Sequence, residues 1–203
     1  MSLKISHVEE NTELLGPFDR FVIWVHGCCF NCDGCLAQNT RFGAYNEIDV
    51  SEMSELIIKS KCEGITISGG EPFLQAEELS KLIKSVKEYR DIGVIVYSGF
   101  TLREIEDDLS FSSFLSQIDI LIDGRYEKNL DDGRAYVGSS NQVINYLTDR
   151  YKISGKEYYS AKKRRAEIKF TSNQAILIGV PSKEVLKVWQ NIKKKSGGFA
   201  NEF

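Results

Sequence analysis

Short runs of nearly continuous apolar residues, each followed by a helical pattern, constrain this chain's fold more than any other feature. FVIWVHG (21–27), GITIS (64–68), IGVIVYS (92–98) and IDILIDG (118–124) read as strands buried on both faces, because a half-solvated strand would alternate polar and apolar residues. SEMSELIIKSK (51–61) reads as a helix between the first two. FLQAEELSKLIKSVKEYR (73–90) reads as another, with Leu74, Leu79, Leu82, Ile83 and Val86 at helical spacing and a charged outer face. A further helix opens at Thr101, where Glu104 completes a capping box. QVINYL (142–147) predicts one more strand. Repeated β-then-α units imply an α/β fold on a parallel sheet, open or curled into a barrel. Ligands in such folds gather at the carboxyl ends of the strands.

The unusual motifs fall at those ends. Directly after FVIWVHG come Cys28, Cys29, Cys32 and Cys35, four of the chain's five cysteines. Cys28, Cys32 and Cys35 form C-x3-C-x2-C, and three thiolates on a four-site centre leave one position open for chemistry. Structural zinc, with His26 or Cys29 as fourth ligand, is the competing reading. Zinc sites usually draw on two separated pairs of ligands, and Cys62 stands alone. A ferredoxin-like cluster needs a fourth cysteine, and Cys29 sits too close to Cys28 to serve easily. Cys29 therefore reads as a spare thiol, and Cys62 as a small core residue.

After GITIS come Gly69-Gly70-Glu71-Pro72. The glycine pair lets main chain approach a ligand, Glu71 is an anion able to hold an ammonium group, and Pro72 presets the next turn. An ordinary tight βα turn is the plain alternative.

Together these motifs resemble the radical S-adenosylmethionine superfamily, whose members carry C-x3-C-x2-C after the first barrel strand and GGE(P) after the second. Gly16-Pro17 with Arg20, the ending Cys32-x-Gly34-Cys35, Tyr97-Ser98-Gly99-Phe100, Asp123-Gly124-Arg125-Tyr126 and Gly138-Ser139-Ser140-Asn141-Gln142 look like its small activase branch. That branch includes activators of anaerobic ribonucleotide reductase and of pyruvate formate-lyase. The resemblance implies a partial, laterally open β/α barrel over a core of about 14–147. A C-terminal β-hairpin and helix extension of about 148–203 would follow within the same single domain. It implies that Cys28, Cys32 and Cys35 bind three irons of a 4Fe-4S cluster and that S-adenosylmethionine chelates the fourth. Gly69, Gly70 and Glu71 would receive the methionyl amino group and Arg125, beside Asp123, its carboxylate. Ser98 would contact ribose, and Asn141 or Gln142 would line the same pocket. Trp24, Tyr97, Phe100 and Tyr126 are candidates for shaping it, though packing is the commoner use of such rings. The implied activity is reductive cleavage of S-adenosylmethionine to a 5′-deoxyadenosyl radical that activates a glycyl-radical enzyme, with flavodoxin or ferredoxin as reductant. Modification of a peptide or small molecule is the alternative function, and a non-catalytic zinc or iron–sulfur protein the remote one.

Composition narrows the setting. The formal net charge of −3 over 203 residues provides no basic field for nucleic acid. No apolar run approaches the roughly 18 residues that cross a membrane, and MSLKISHVEE lacks the core of a signal peptide. The expected location is the cytoplasm, where thiols stay reduced. In the tail, 150–166 reads as an exposed loop with KKRR (162–165) solvated. AEIKFTSNQAILIGVP predicts two strands around Ser172-Asn173, then a helix from about Ser182 to Lys195, and SGGFANEF a frayed end.

Overall fold

The computed structural model describes residues 1–161, 163–170, 175–195 and 200–202. The expected strands form the centre of a seven-stranded sheet. β1 (Ser2–Thr12), β2 (Arg20–Val25), β3 (Asn46–Asp49), β4 (Gly64–Gly69), β5 (Gly93–Tyr97), β6 (Ile120–Asp123) and β7 (Val143–Tyr146) lie in the order β3-β1-β2-β4-β5-β6-β7. The four central strands β2, β4, β5 and β6 run parallel, with Val25 opposite Gly69 and Tyr97 opposite Ile122. Their carboxyl ends therefore share one edge.

One expectation needs correction. The sheet is mixed rather than parallel, because β1, β3 and β7 pair antiparallel with their neighbours. Among the described residues the sheet does not close, β3 and β7 lying unpaired to each other at its two edges, as in a laterally open arrangement. β1 carries no clear strand signal in the sequence. SLKISHVEENT places only Leu3, Ile5 and Thr12 in fully buried positions, a sparser pattern than the continuous runs of the central strands.

Burial on both faces explains those runs. Phe21, Ile23, Val25, Ile67 and Val96 point toward the helices. The alternate residues Val22 and Trp24 pack with Leu14, Leu15, Ile176 and Ile178, while Ile95, Ile120 and Ile122 pack with Val137 and Tyr151. The helices are α1 (Asn39–Phe42), α2 (Val50–Ser60), α3 (Ala76–Lys87), α4 (Leu102–Glu106), α5 (Ser112–Leu115), α6 (Ser154–Tyr159) and α7 (Lys183–Lys195). Asp49 caps α2 by accepting from the Ser51 N–H. The Thr101–Glu104 capping box is present at α4. Pro72–Gln75 forms a 3-10 turn ahead of α3, so the helix expected from residue 73 begins at Ala76.

The described residues of the C-terminal extension carry two elements beyond the expected hairpin and helix. β8 (Ala166–Phe170) and β9 (Ala175–Gly179) pair antiparallel, as expected, while the Ser172-Asn173 turn lies outside the described residues. α6 interrupts the expected loop. β10 (Ala200–Glu202) adds parallel to β9, where a frayed end was expected. No helix among the described residues is long and apolar enough to cross a membrane.

Candidate functional site

The cysteine loop hangs between β2 and α1 and is closed at its base by the Gly27 N–H, which donates to the Thr40 carbonyl at 2.8 Å. Cys28, Cys32 and Cys35 are half-buried, Cys29 is exposed, and none is in a disulfide. The Phe30 N–H donates to Cys28 Sγ at 3.4 Å. Burial pushes the Cys28 thiol up to about 11, against that hydrogen bond. Among the described residues no three His, Cys, Asp or Glu side chains gather tightly enough for a single ion. A four-iron cluster places different demands, taking each thiolate on a separate iron. Cys62 is buried, and its thiol donates to the Glu10 carbonyl at 2.7 Å.

The segments after β4, β5 and β6 all reach this loop. The Glu71 N–H donates to the Gly27 carbonyl at 2.8 Å. A Cβ at Gly70 would lie 1.9 Å from that same oxygen, so only glycine lets the two turns touch. From β5, Gly99 passes beneath Phe30, whose ring a Cβ there would meet at 2.5 Å, and Phe100 packs on Phe30 with centroids 4.8 Å apart. From β6, the Arg125 guanidinium lies 4.6 Å over the Phe30 ring and 3.6 Å from Glu104. Tyr126 and Lys128 lie over Gly34.

Several of these side chains have hydrogen-bond partners within the protein. Glu71 is 1% exposed. Its Oε1 accepts from the Ser98 hydroxyl at 2.9 Å and the Phe73 N–H at 3.0 Å, and its Oε2 from the Gly99 N–H at 2.8 Å. Burial pushes this carboxyl up to about 7, while the three donors pull the other way. Ser98 also accepts from the Phe100 N–H, so its hydroxyl is committed on both counts. Pro72 is buried at the first position of its turn. Gln142 is spent on the Gly138 and Ser139 N–H groups and the Gly124 carbonyl. Trp24 is core.

Two acceptors remain open at the end of β6. Asp123 Oδ2 accepts from the Leu102 N–H at 2.5 Å, whereas its Oδ1 is buried without a partner. Asn141 donates to the Arg125 carbonyl at 2.7 Å, and its Oδ1 is likewise buried and unpartnered. Such acceptors are costly to bury unless a donor reaches them. Phe30 and Lys128 were not anticipated as parts of the site, since an aromatic or a lysine in a loop carries no spacing signal. His26, the other candidate ligand, stacks on Tyr45 at 4.5 Å and shares a hydrogen bond with Ser6.

The 4Fe-4S single cluster domain matches residues 14–145, which hold the cysteine loop and all four central strands. The chain belongs to this family. Among relatives of this 4Fe-4S single cluster protein, the anaerobic ribonucleoside-triphosphate reductase-activating protein of Enterobacteria phage T4 is 31% identical over 141 residues, covering 66% of this chain and 88% of that protein. Its namesake in Vibrio cholerae serotype O1 is 34% identical over 143 residues, covering 66% and 91%. The pyruvate formate-lyase-activating enzyme of Listeria monocytogenes is 31% identical over 83 residues, or 37% of this chain and 34% of that enzyme. The family member described here falls in the small activase branch of the radical S-adenosylmethionine proteins.

Proposed function

We propose that this chain is an activating enzyme that generates a glycyl radical on a large partner, with an anaerobic ribonucleotide reductase as the first candidate. The observation that carries this reading is the convergence of four strand ends on one cysteine loop, inside the family match. Cys28, Cys32 and Cys35 would hold three irons of a 4Fe-4S cluster, soft thiolate donors being suited to iron. When bound, the cluster and S-adenosylmethionine supply reductive cleavage of the sulfonium and hydrogen abstraction by the released 5′-deoxyadenosyl group.

The protein's own part is to place and shield. Because Glu71 is committed internally, it fixes the turn, and the Gly69-Gly70 main chain is left to meet the methionyl amino group. The open acceptors on Asp123 and Asn141 suit donors of the same ligand. Arg125, at the rim and only loosely paired with Glu104, suits its carboxylate. Phe30 and Phe100 keep water from the β5 side of the loop. The raised Cys28 thiol must surrender its proton for iron to bind, which makes loading easier as pH rises.

In this reading the seven-stranded sheet serves as a partial barrel open at its side. A groove of about 730 Å³ runs there, along β7 and lined in part by Arg134, Val143, Ile144 and Tyr159. Such an opening suits a macromolecular substrate. A flavodoxin or ferredoxin in the cytoplasm would supply the electron. A peptide substrate is the second reading, favoured by the ordered extension beyond the family match. Anaerobic incubation with a candidate reductase, S-adenosylmethionine and a reductant separates the two. A glycyl radical signal on the reductase supports activation; none with any available glycyl-radical enzyme rejects it.

A further inference from the structure

The family match ends at residue 145, yet Arg164 reaches back into it. Its side chain is only 5% exposed. The guanidinium donates to Asp131 at 2.7 Å and 3.2 Å, and to the carbonyls of Arg134 (2.9 Å), Val137 (3.2 Å), Gly138 (2.9 Å) and Pro181 (3.4 Å). A buried guanidinium met by a carboxylate and four carbonyls is held in one place by its fixed fork of donors. The neighbouring Asp132 is taken by Arg134 at 2.8 Å, which leaves Asp131 to Arg164.

What Arg164 grips is the strap that carries Tyr126 and Lys128. The Gly138 backbone packs against the Tyr126 ring, so that a Cβ there would lie 2.7 Å from Cδ2. The Tyr126 hydroxyl donates to Asp131 at 3.5 Å. The ring and the Lys128 stem cover Gly34, where a Cβ would stand 3.5 Å from Tyr126 and 3.3 Å from Lys128. Lys128 also meets Asp33 at 3.6 Å. Gly34 itself sits between Cys32 and Cys35 with φ +75, a left-handed conformation open to glycine, and the turn it makes is covered by Tyr126 and Lys128. Contacts thus run unbroken from the C-terminal extension to the turn between two cysteines.

We propose that Arg164 is a positioning residue through which the C-terminal extension sets how firmly the Cys32–Cys35 turn is held. Its consequence for catalysis rests on the cluster reading above; the mechanical link does not. Removing the guanidinium strands the half-buried Asp131 charge and four carbonyls, so the strap loosens before the sheet does.

The test uses the full chain without metal and reads alkylation of each cysteine by mass spectrometry at fixed pH. Arg164→Gln raises the labelling rates of Cys32 and Cys35 roughly tenfold while buried Cys62 stays protected. Arg164→Lys, which keeps the charge opposite Asp131 but not the fork, gives an intermediate rate. Should Arg164→Gln fail to fold, Tyr126→Leu removes the ring from Gly34 without stranding a charge and gives the same pattern. Unchanged Cys32 and Cys35 rates in a folded variant, or a parallel rise at Cys62 in both variants, would overturn the proposal. Failure of the wild-type chain to assemble any cluster would reject the functional reading and leave this result standing.

Discussion

The Ser98 hydroxyl donates to Glu71 Oε1 at 2.9 Å and so fastens the end of β5 to the turn after β4. Two residues expected at a ligand are therefore partners of each other. Glu71→Ala leaves Ser98, Gly99 and Phe73 with donors unmet in a buried site, and the expected cost is about 2–5 kcal/mol, read from the urea midpoint. A loss below about 0.5 kcal/mol would show that these bonds contribute little.

The same carboxyl predicts a pH dependence in the metal-free protein. Burial holds Glu71 at about 7 against an ordinary value of 4.5. Between these values the unfolded chain has released the proton and the folded chain retains it. The folded state then binds more protons, and stability falls as pH rises through that window. Urea midpoints from about pH 4.5 to about pH 7 should show this component in wild type and lose it in Glu71→Gln. Parallel profiles would contradict it.

Gly70→Ala forces a Cβ to 1.9 Å from the Gly27 carbonyl, and backbone on both sides leaves no flexible group to yield. The turn must part from the cysteine loop. We expect a loss of about 3 kcal/mol or more in thermal or urea unfolding. A variant as stable as wild type would show that the two turns do not touch.

At the opposite edge, Arg20 is fully buried and binds Glu63 at 2.8 Å, Tyr151 at 2.6 Å, Thr66 at 3.1 Å and the carbonyls of Ile65 and Gly93. Arg20→Met strands these groups at the starts of β4 and β5, with an expected cost of about 3–5 kcal/mol. Tyr151→Phe removes one hydroxyl and should cost about 1 kcal/mol. Equal urea midpoints for the two variants would argue against a network centred on Arg20.

The central strands were legible because burial on both faces writes itself as unbroken apolar runs, as in Phe21–Val25. The cysteine spacing and the Thr101–Glu104 box were legible because their chemistry is local. Other strand features were not: β1 mixes polar and apolar residues, and β7, legible as a strand, gives no sign of its antiparallel direction. The inward turn of Glu71 depends on Ser98 and Gly99, which are distant in sequence. Arg164 shows the same limit, since a basic run reads as solvated until Asp131 is found opposite it.

The cysteines should divide sharply by role. Serine at Cys28, Cys32 or Cys35 should abolish iron retention after anaerobic reconstitution. Cys29→Ser should retain it, since Cys29 is the exposed member of the loop. Iron content per chain checks this, and loss of iron in Cys29→Ser would move the ligand set.

The most direct test combines reconstitution with turnover. The wild-type chain is loaded anaerobically, iron is counted, and 5′-deoxyadenosine is measured after addition of S-adenosylmethionine and a strong reductant. The account predicts about four irons per chain and formation of 5′-deoxyadenosine that vanishes with Cys28, Cys32 or Cys35. Tightly bound zinc with no 5′-deoxyadenosine would contradict it.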